Sequence, residues 1–175
     1  MSALFVDSIK DKSDTKTLAT LSNTATTLHS DVVFPAGMIL NVVSTNGSTE
    51  YTTSATTWGA STKISDIETV HTCASSSNKV LLNATFVSKA KTTFYYADFY
   101  KIVSGTTTYN ISGESEGICR LYGEVHNTVH IQHLFAPSSI TAHTYGVSFR
   151  SYSNVSANAG GNDLASNLTV MEIQA

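Results

Sequence analysis

Charge is scarce in this chain. Lys, Arg, Asp and Glu make up 13% of its 175 residues, against roughly 25% in an average soluble domain. The net charge is −3 and no basic cluster exists, which argues against nucleic acid and anionic membranes as partners, since both are bound through phosphate neutralisation. Cysteine is rare too. Cys73 and Cys119 are too few for a metal site, and both are expected as free thiols. No apolar run approaches the ~18 residues that span a bilayer. The opening residues, Met1 to Lys10, have neither a basic n-region nor an apolar h-region, so no signal peptide is expected. The Asn-x-Ser/Thr matches at Asn46, Asn83, Asn110, Asn154 and Asn167 then count as chance products of composition.

Catalytic signatures are absent as well. There is no Gly-x-Ser-x-Gly elbow, no phosphate-cradling glycine loop and no His-Glu-x-x-His. Glu114 and Glu116 sit in a Gly/Ser loop and are expected to be solvated. Glycosidase chemistry needs two converging carboxylates, and the sequence nominates no such pair. His126 and His130 share one face of a strand about 13 Å apart, too far to ligate one metal. No enzyme activity, metal or cofactor is expected.

What replaces the charge is hydroxyl. The chain holds 24 Ser and 25 Thr, and the branched β-carbon of Thr suits a pleated surface. From Ile39 onward the sequence reads as about ten short strands divided by turn signals, with no helical periodicity between them. They are Ile39–Thr45, Thr49–Thr57, Ile64–Thr72, Val80–Val87, Thr93–Val103, Thr106–Ile111, Ile118–Tyr122, Val125–Phe135, Thr141–Tyr152 and Leu168–Gln174. Asn46-Gly47, which accepts positive φ at both residues, is expected to turn a hairpin between the first two. The last strand is expected to pair with the segment Phe34 to Val43. The fold class is therefore all-β: an antiparallel, jelly-roll-like β-sandwich over residues 34–175. Residues 1–33 lack glycine and are read as an extended N-terminal arm. In it Leu4, Phe5, Val6 and Ile9 form an apolar cluster. Leu18, Leu21 and Leu28 follow at spacings that suit either an anchored arm or two coiled-coil heptads, and the density of Thr, Ser and Asn favours the arm.

Thr93–Val103 carries aromatics on both faces, with Tyr95 and Phe99 on one and Phe94, Tyr96 and Tyr100 on the other. A strand covered on both sides fits, and the second face is expected to meet another subunit through Tyr96 and Tyr100, since Tyr is enriched at such contacts. His130 is expected on a polar face where three copies meet. Trp58 and Tyr152 are the candidates for a ligand-binding loop.

Four stretches carry a family resemblance: Phe34 to Val43, Asn78 to Ala84, Phe135 to Tyr145 and Ser166 to Ile173. With the opening Val6-Asp7-Ser8-Ile9-Lys10 they resemble a group of virion structural proteins of tailed bacteriophages, common in aquatic and cyanobacterial phages. The segment with His71 and Cys73 departs from the pattern. The resemblance implies a homotrimeric β-sandwich on the virion surface, found as capsid decoration (cement) proteins and as tail-fibre ends, and it transfers no catalytic residue. An arm of about 33 residues reaches at most roughly 110 Å when extended, which suits clamping onto a major capsid protein or another virion protein better than projecting a fibre. A trimeric decoration protein is expected. A receptor- or glycan-binding module at a fibre tip is the alternative.

Overall fold

The computed structural model describes residues 8–10, 17–21, 26–28, 35–90, 94–122, 127–160 and 165–175. The chain divides into two compact units, Met1–Pro35 and Ala36–Ala175.

In the first unit, β1 (Ser8–Lys10), β2 (Thr17–Leu21) and β3 (Thr26–Leu28) form an antiparallel three-stranded sheet in the order β1-β2-β3. Ser8 lies opposite Thr20, and Ala19 opposite both Ile9 and Leu28. The described part of this segment is therefore neither a single extended arm nor a helix. Its Thr-rich runs favour the pleated backbone.

The second unit is all-β. Its strands are β4 (Ile39–Gly47), β5 (Tyr51–Thr53), β6 (Thr62–Lys63), β7 (Thr69–His71), β8 (Lys79–Ala90), β9 (Phe94–Val103), β10 (Thr106–Thr108), β11 (Cys119–Tyr122), β12 (Asn127–Phe135), β13 (His143–Ser151), β14 (Ala157–Ala159) and β15 (Ser166–Ile173). Two 3₁₀ turns, Trp58–Ala60 and Ser65–Ile67, are the helical elements among the described residues.

Several short strands are halves of longer ones. β15 and β14 pair with successive stretches of the same edge of β8, and β4 and β5 pair with β15 and β14 in turn. The first sheet therefore runs β4/β5, β14/β15, β8, β12. The second runs β6/β7, β13, β9, β10/β11 by the same logic. All these pairings are antiparallel. Taking the eight positions in chain order, the first, eighth, third and sixth make one sheet and the second, seventh, fourth and fifth make the other. That is the jelly-roll wiring, a double-sheet solution to the edge problem of antiparallel sheets. The expected pairing of the first body strand with the last is present: Val43 faces Val170 and Ile39 faces Ile173.

The core lies between the sheets. Val80, Leu82, Ala84 and Phe86 of β8 alternate inward, and Tyr95, Ala97 and Phe99 of β9 meet them with Tyr145, Val147 and Phe149 of β13. Ile64 and Ile67 close one side at full burial.

Asn46-Gly47 does not make a hairpin. Both residues stay in β4, opposite Asn167 and Ser166, and the chain continues in the same direction into β5. Gly47 is small for a different reason: a Cβ there would stand 2.6 Å from Asp66 Oδ1. The Asp66 carboxylate needs that space, since its Oδ2 accepts the Thr49 N–H at 2.7 Å. The segment between Tyr152 and Leu168, where no strand is expected, contains β14.

Candidate interaction face and a buried polar cluster

The outer face of the first sheet is built by register alone. Leu134 of β12 lies opposite Leu81 of β8, Leu81 opposite Met171 of β15, and Met171 opposite Val42 of β4. These side chains alternate with the buried ones, so an apolar row crosses the whole sheet on its solvent side. Leu134 is 50% exposed and Val42 55%, and Ile39 and Met38 extend the patch at one end. The next row is Gln132, Asn83, Thr169 and Ser44, and the third is His130, Thr85, Asn167 and Asn46. Across these three rows no side chain carries a fixed charge. Asn167 ties the polar rows together: its Nδ2 donates to Asn46 Oδ1 at 2.7 Å and to Ser44 Oγ at 2.8 Å, and its Oδ1 accepts from Thr169 at 3.1 Å. His130 is exposed here, with Nδ1 3.1 Å from Thr85 Oγ1.

The outer face of the second sheet is different, because the chain covers it. Tyr96 and Tyr100 are 1% and 0% exposed, so neither ring is available to a second subunit. The Arg150 guanidinium lies 4.4 Å over the Tyr96 ring, and Lys63 Nζ 4.9 Å over that of Tyr100. The Tyr100 hydroxyl donates to Glu68, and burial drives its pKa well above the usual phenol range, with the Glu68 hydrogen bond and charge adding to the shift. The segment from Tyr109 to Gly117 lies across this face. Ile111 N–H donates to Phe99 O at 3.1 Å, and Ser112 Oγ donates to Asp98. Trp58 pins the same segment, with Nε1 donating to Ser115 O at 3.2 Å, and Arg150 Nη2 donates to that carbonyl at 3.0 Å. Trp58 is thus a half-buried loop anchor and not an open ligand platform.

Tyr152 is 59% exposed, as a ligand contact would be, and it does not stand alone. Its ring meets Phe94 edge-on at 6.2 Å, and Tyr122, 62% exposed, packs on Phe94 at 4.8 Å. Arg120 lies 4.0 Å over the Phe94 ring. The Phe94–Tyr122 contact has no local sequence signal, because only the β11–β9 register sets the two side by side.

Of the N-terminal contact residues, Ile9 is in β1, Leu18 and Leu21 are in β2, and Leu28 is in β3. Leu4, Phe5 and Val6 lie outside the described residues, as does His126.

A third feature lies inside the sandwich. His71, Cys73 and Glu172 are buried, and one ligand-type atom from each falls within 4.8 Å of the others. His71 ends β7 of the second sheet and Glu172 is in β15 of the first, so the cluster spans the two layers. Glu172 Oε1 accepts from Asn78 Nδ2 at 2.6 Å and from Ala74 N–H at 2.8 Å. Its Oε2 stands 3.2 Å from His71 Nε2. Burial, with the Glu172 charge adding, pushes the Cys73 thiol up to about 11. Both cysteines are free thiols, Cys119 being half-buried.

No family model and no curated protein matches the chain. Among solved structures, the chain is similar to one in the structure of infectious bursal disease virus, Gx strain, at 11% identity and a TM-score of 0.40. The match covers 89% of this chain and 42% of that one, so this chain spans less than half the length of the solved chain it resembles.

Proposed function

We propose that this protein is a virion structural protein: a homotrimer that decorates a phage head and stabilises it. The observation that carries the reading is the outer face of the first sheet, where three rows without fixed charge, bordered by exposed Lys79 at one end, include the apolar Leu134–Leu81–Met171–Val42 row. An antiparallel sheet with a solvated outer face presents polar side chains there. This one presents an apolar row bordered by amides and hydroxyls, as a surface does that is covered by another copy of itself. His130 belongs to this face, whereas Tyr96 and Tyr100 do not. The jelly-roll wiring is shared by viral capsid and lectin domains. Fold alone assigns no function, but it is the architecture that the resemblance to phage virion proteins implies. The role is structural rather than catalytic. The N-terminal segment grips a major capsid protein or another virion protein, and three linked copies bind with an avidity that one lacks. The bound form in turn stabilises the shell by mass action.

The test is co-sedimentation with empty phage heads of the full chain and of a chain lacking residues 1–16. The full chain is expected to pellet with heads, and the truncated one to remain a soluble trimer. Equal pelleting of both would remove the arm from the proposal, and failure of the full chain to bind any head would remove the decoration role. A glycan-binding tip is favoured by one observation, the exposed Tyr122–Phe94–Tyr152 cluster with Arg120 beside it. Saturable binding on a glycan array, lost in Tyr122→Ala and Tyr152→Ala, would support that reading.

A further inference from the structure

We propose that His71, Cys73 and Glu172 bind one Zn²⁺ ion between the two sheets of the sandwich. His71 Nε2 and Glu172 Oε2 are 3.2 Å apart, which is about the edge of a tetrahedron with metal–ligand bonds near 2.0 to 2.1 Å. The Cys73 sulfur completes a triangle up to 4.8 Å on a side; zinc bonds of about 2.3 Å to sulfur and about 2.0 to 2.1 Å to nitrogen or oxygen span roughly 3.5 Å at a tetrahedral angle, so the Cys73 side chain moves inward by about 1 Å as the ion binds. All three residues are buried, at 4%, 5% and 2% exposure.

The hydrogen bonding singles out the same atoms. Glu172 Oε1 is saturated by Asn78 Nδ2 and Ala74 N–H, which fix the carboxylate and leave Oε2 turned toward His71. His71 Nε2 nevertheless completes no hydrogen bond among the described residues. A buried imidazole nitrogen that approaches a carboxylate at 3.2 Å without a well-formed hydrogen bond is under-satisfied, and burial leaves no water to make up the difference. A cation in the triangle satisfies that nitrogen and Oε2 together.

Charge points the same way. The three buried groups are a carboxylate, a thiol and an imidazole. A divalent cation matches one carboxylate and one thiolate, and the thiol proton leaves to solvent as the metal binds. Thiolate with imidazole selects zinc over magnesium or calcium, which take oxygen. The fourth position goes to water. Since His71 belongs to the second sheet and Glu172 to the first, the ion crosslinks the layers and fastens the final strand.

The rival occupant is a proton, with His71 charged against Glu172 and Cys73 a neutral thiol. The experiment uses the full chain carrying Cys119→Ser, so that Cys73 is the single thiol. It is incubated with zinc chloride, dialysed against metal-free buffer and assayed for metal. One zinc per chain is expected. Cobalt(II) is expected to give the intense visible bands of a tetrahedral site and a thiolate-to-cobalt charge-transfer band that Cys73→Ser abolishes. His71→Ala and Glu172→Gln are expected to weaken zinc binding by about 100-fold or more, since even outer-shell partners are worth 10- to 100-fold. Should those variants fail to fold, thiol reactivity of the parent protein decides: zinc is expected to protect Cys73 from disulfide exchange and chelator to restore it. Zinc lost on dialysis, with thiol reactivity indifferent to metal and chelator, would overturn the proposal.

Discussion

Replacing Val42 and Leu134 with Glu separates folding from assembly. The two side chains end the apolar row at opposite edges of the first sheet and are 55% and 50% exposed in the single chain. Full burial of a Val or Leu side chain is worth about 1.5–3 kcal/mol. Covering the remaining half of each against a second copy is therefore worth about 1 kcal/mol, or about 2 kcal/mol per protomer for the pair. At about 1.4 kcal/mol per decade, losing that contribution weakens association at least ~30-fold. Two carboxylates forced into a dry contact add a desolvation cost on top. The isolated fold should barely respond, because surface substitutions away from packed features fall within about 0.5 kcal/mol. Sedimentation velocity across a concentration series measures assembly, and thermal unfolding followed by circular dichroism measures the fold. The expected result is a trimer for the parent chain and a monomer with an unchanged spectrum for the double variant. A variant that assembles like the parent, or a parent that stays monomeric throughout, would refute the assignment of this face.

Two further outcomes test the packing. Gly146→Ala places a methyl group about where the Tyr100 ring sits, 2.6 Å from its Cε1, and should destabilise by about 1–3 kcal/mol, the usual cost of overpacking; chemical denaturation measures it, and an unchanged midpoint would show the ring free to move. Asp98 is fully buried, and burial raises its pKa above the ordinary value despite opposing hydrogen bonds from Ser112 and Phe99 N–H. Its folded-state pKa exceeds the unfolded one, so its stabilising contribution is complete below the unfolded pKa of about 4 and is lost as pH rises through the folded value. The stability of the parent relative to Asp98→Asn should therefore fall between acid and neutral pH, and a flat difference would contradict the assignment.

Strands announced themselves wherever alternation was long and apolar. Val80–Val87 lies within Lys79–Ala90, and Thr141–Tyr152 contains His143–Ser151. The pairing of Ile39 with Ile173 was legible because both segments alternate and flank the body. Short strands were not: Ala157–Ala159 is only three residues of small and polar side chains, too brief for a period to register. Asn46-Gly47 misled because a glycine spared for its positive φ and one spared for space look alike in sequence. The burial of Tyr96 and Tyr100 is not legible in sequence, because their cover, Tyr109 to Gly117, follows a strand that ends at Thr108 rather than at the expected Ile111, and nothing local shows where it folds back. The apolar row and the His71–Cys73–Glu172 cluster escaped for a common reason. Their members are scattered along the chain and are brought together by ladder register, which is set by the whole hydrophobic pattern and not by any local motif.

The placement of β15 between β4 and β8 sets an order on biogenesis. β4 gains its ladder partner only once residues 166–173 have been made, and such distant pairing makes folding slow. Met171 is the third member of the apolar row, so a half-synthesised chain has no finished surface to offer. Under the proposed trimer, coupling to sister copies would wait until this strand has closed the sheet.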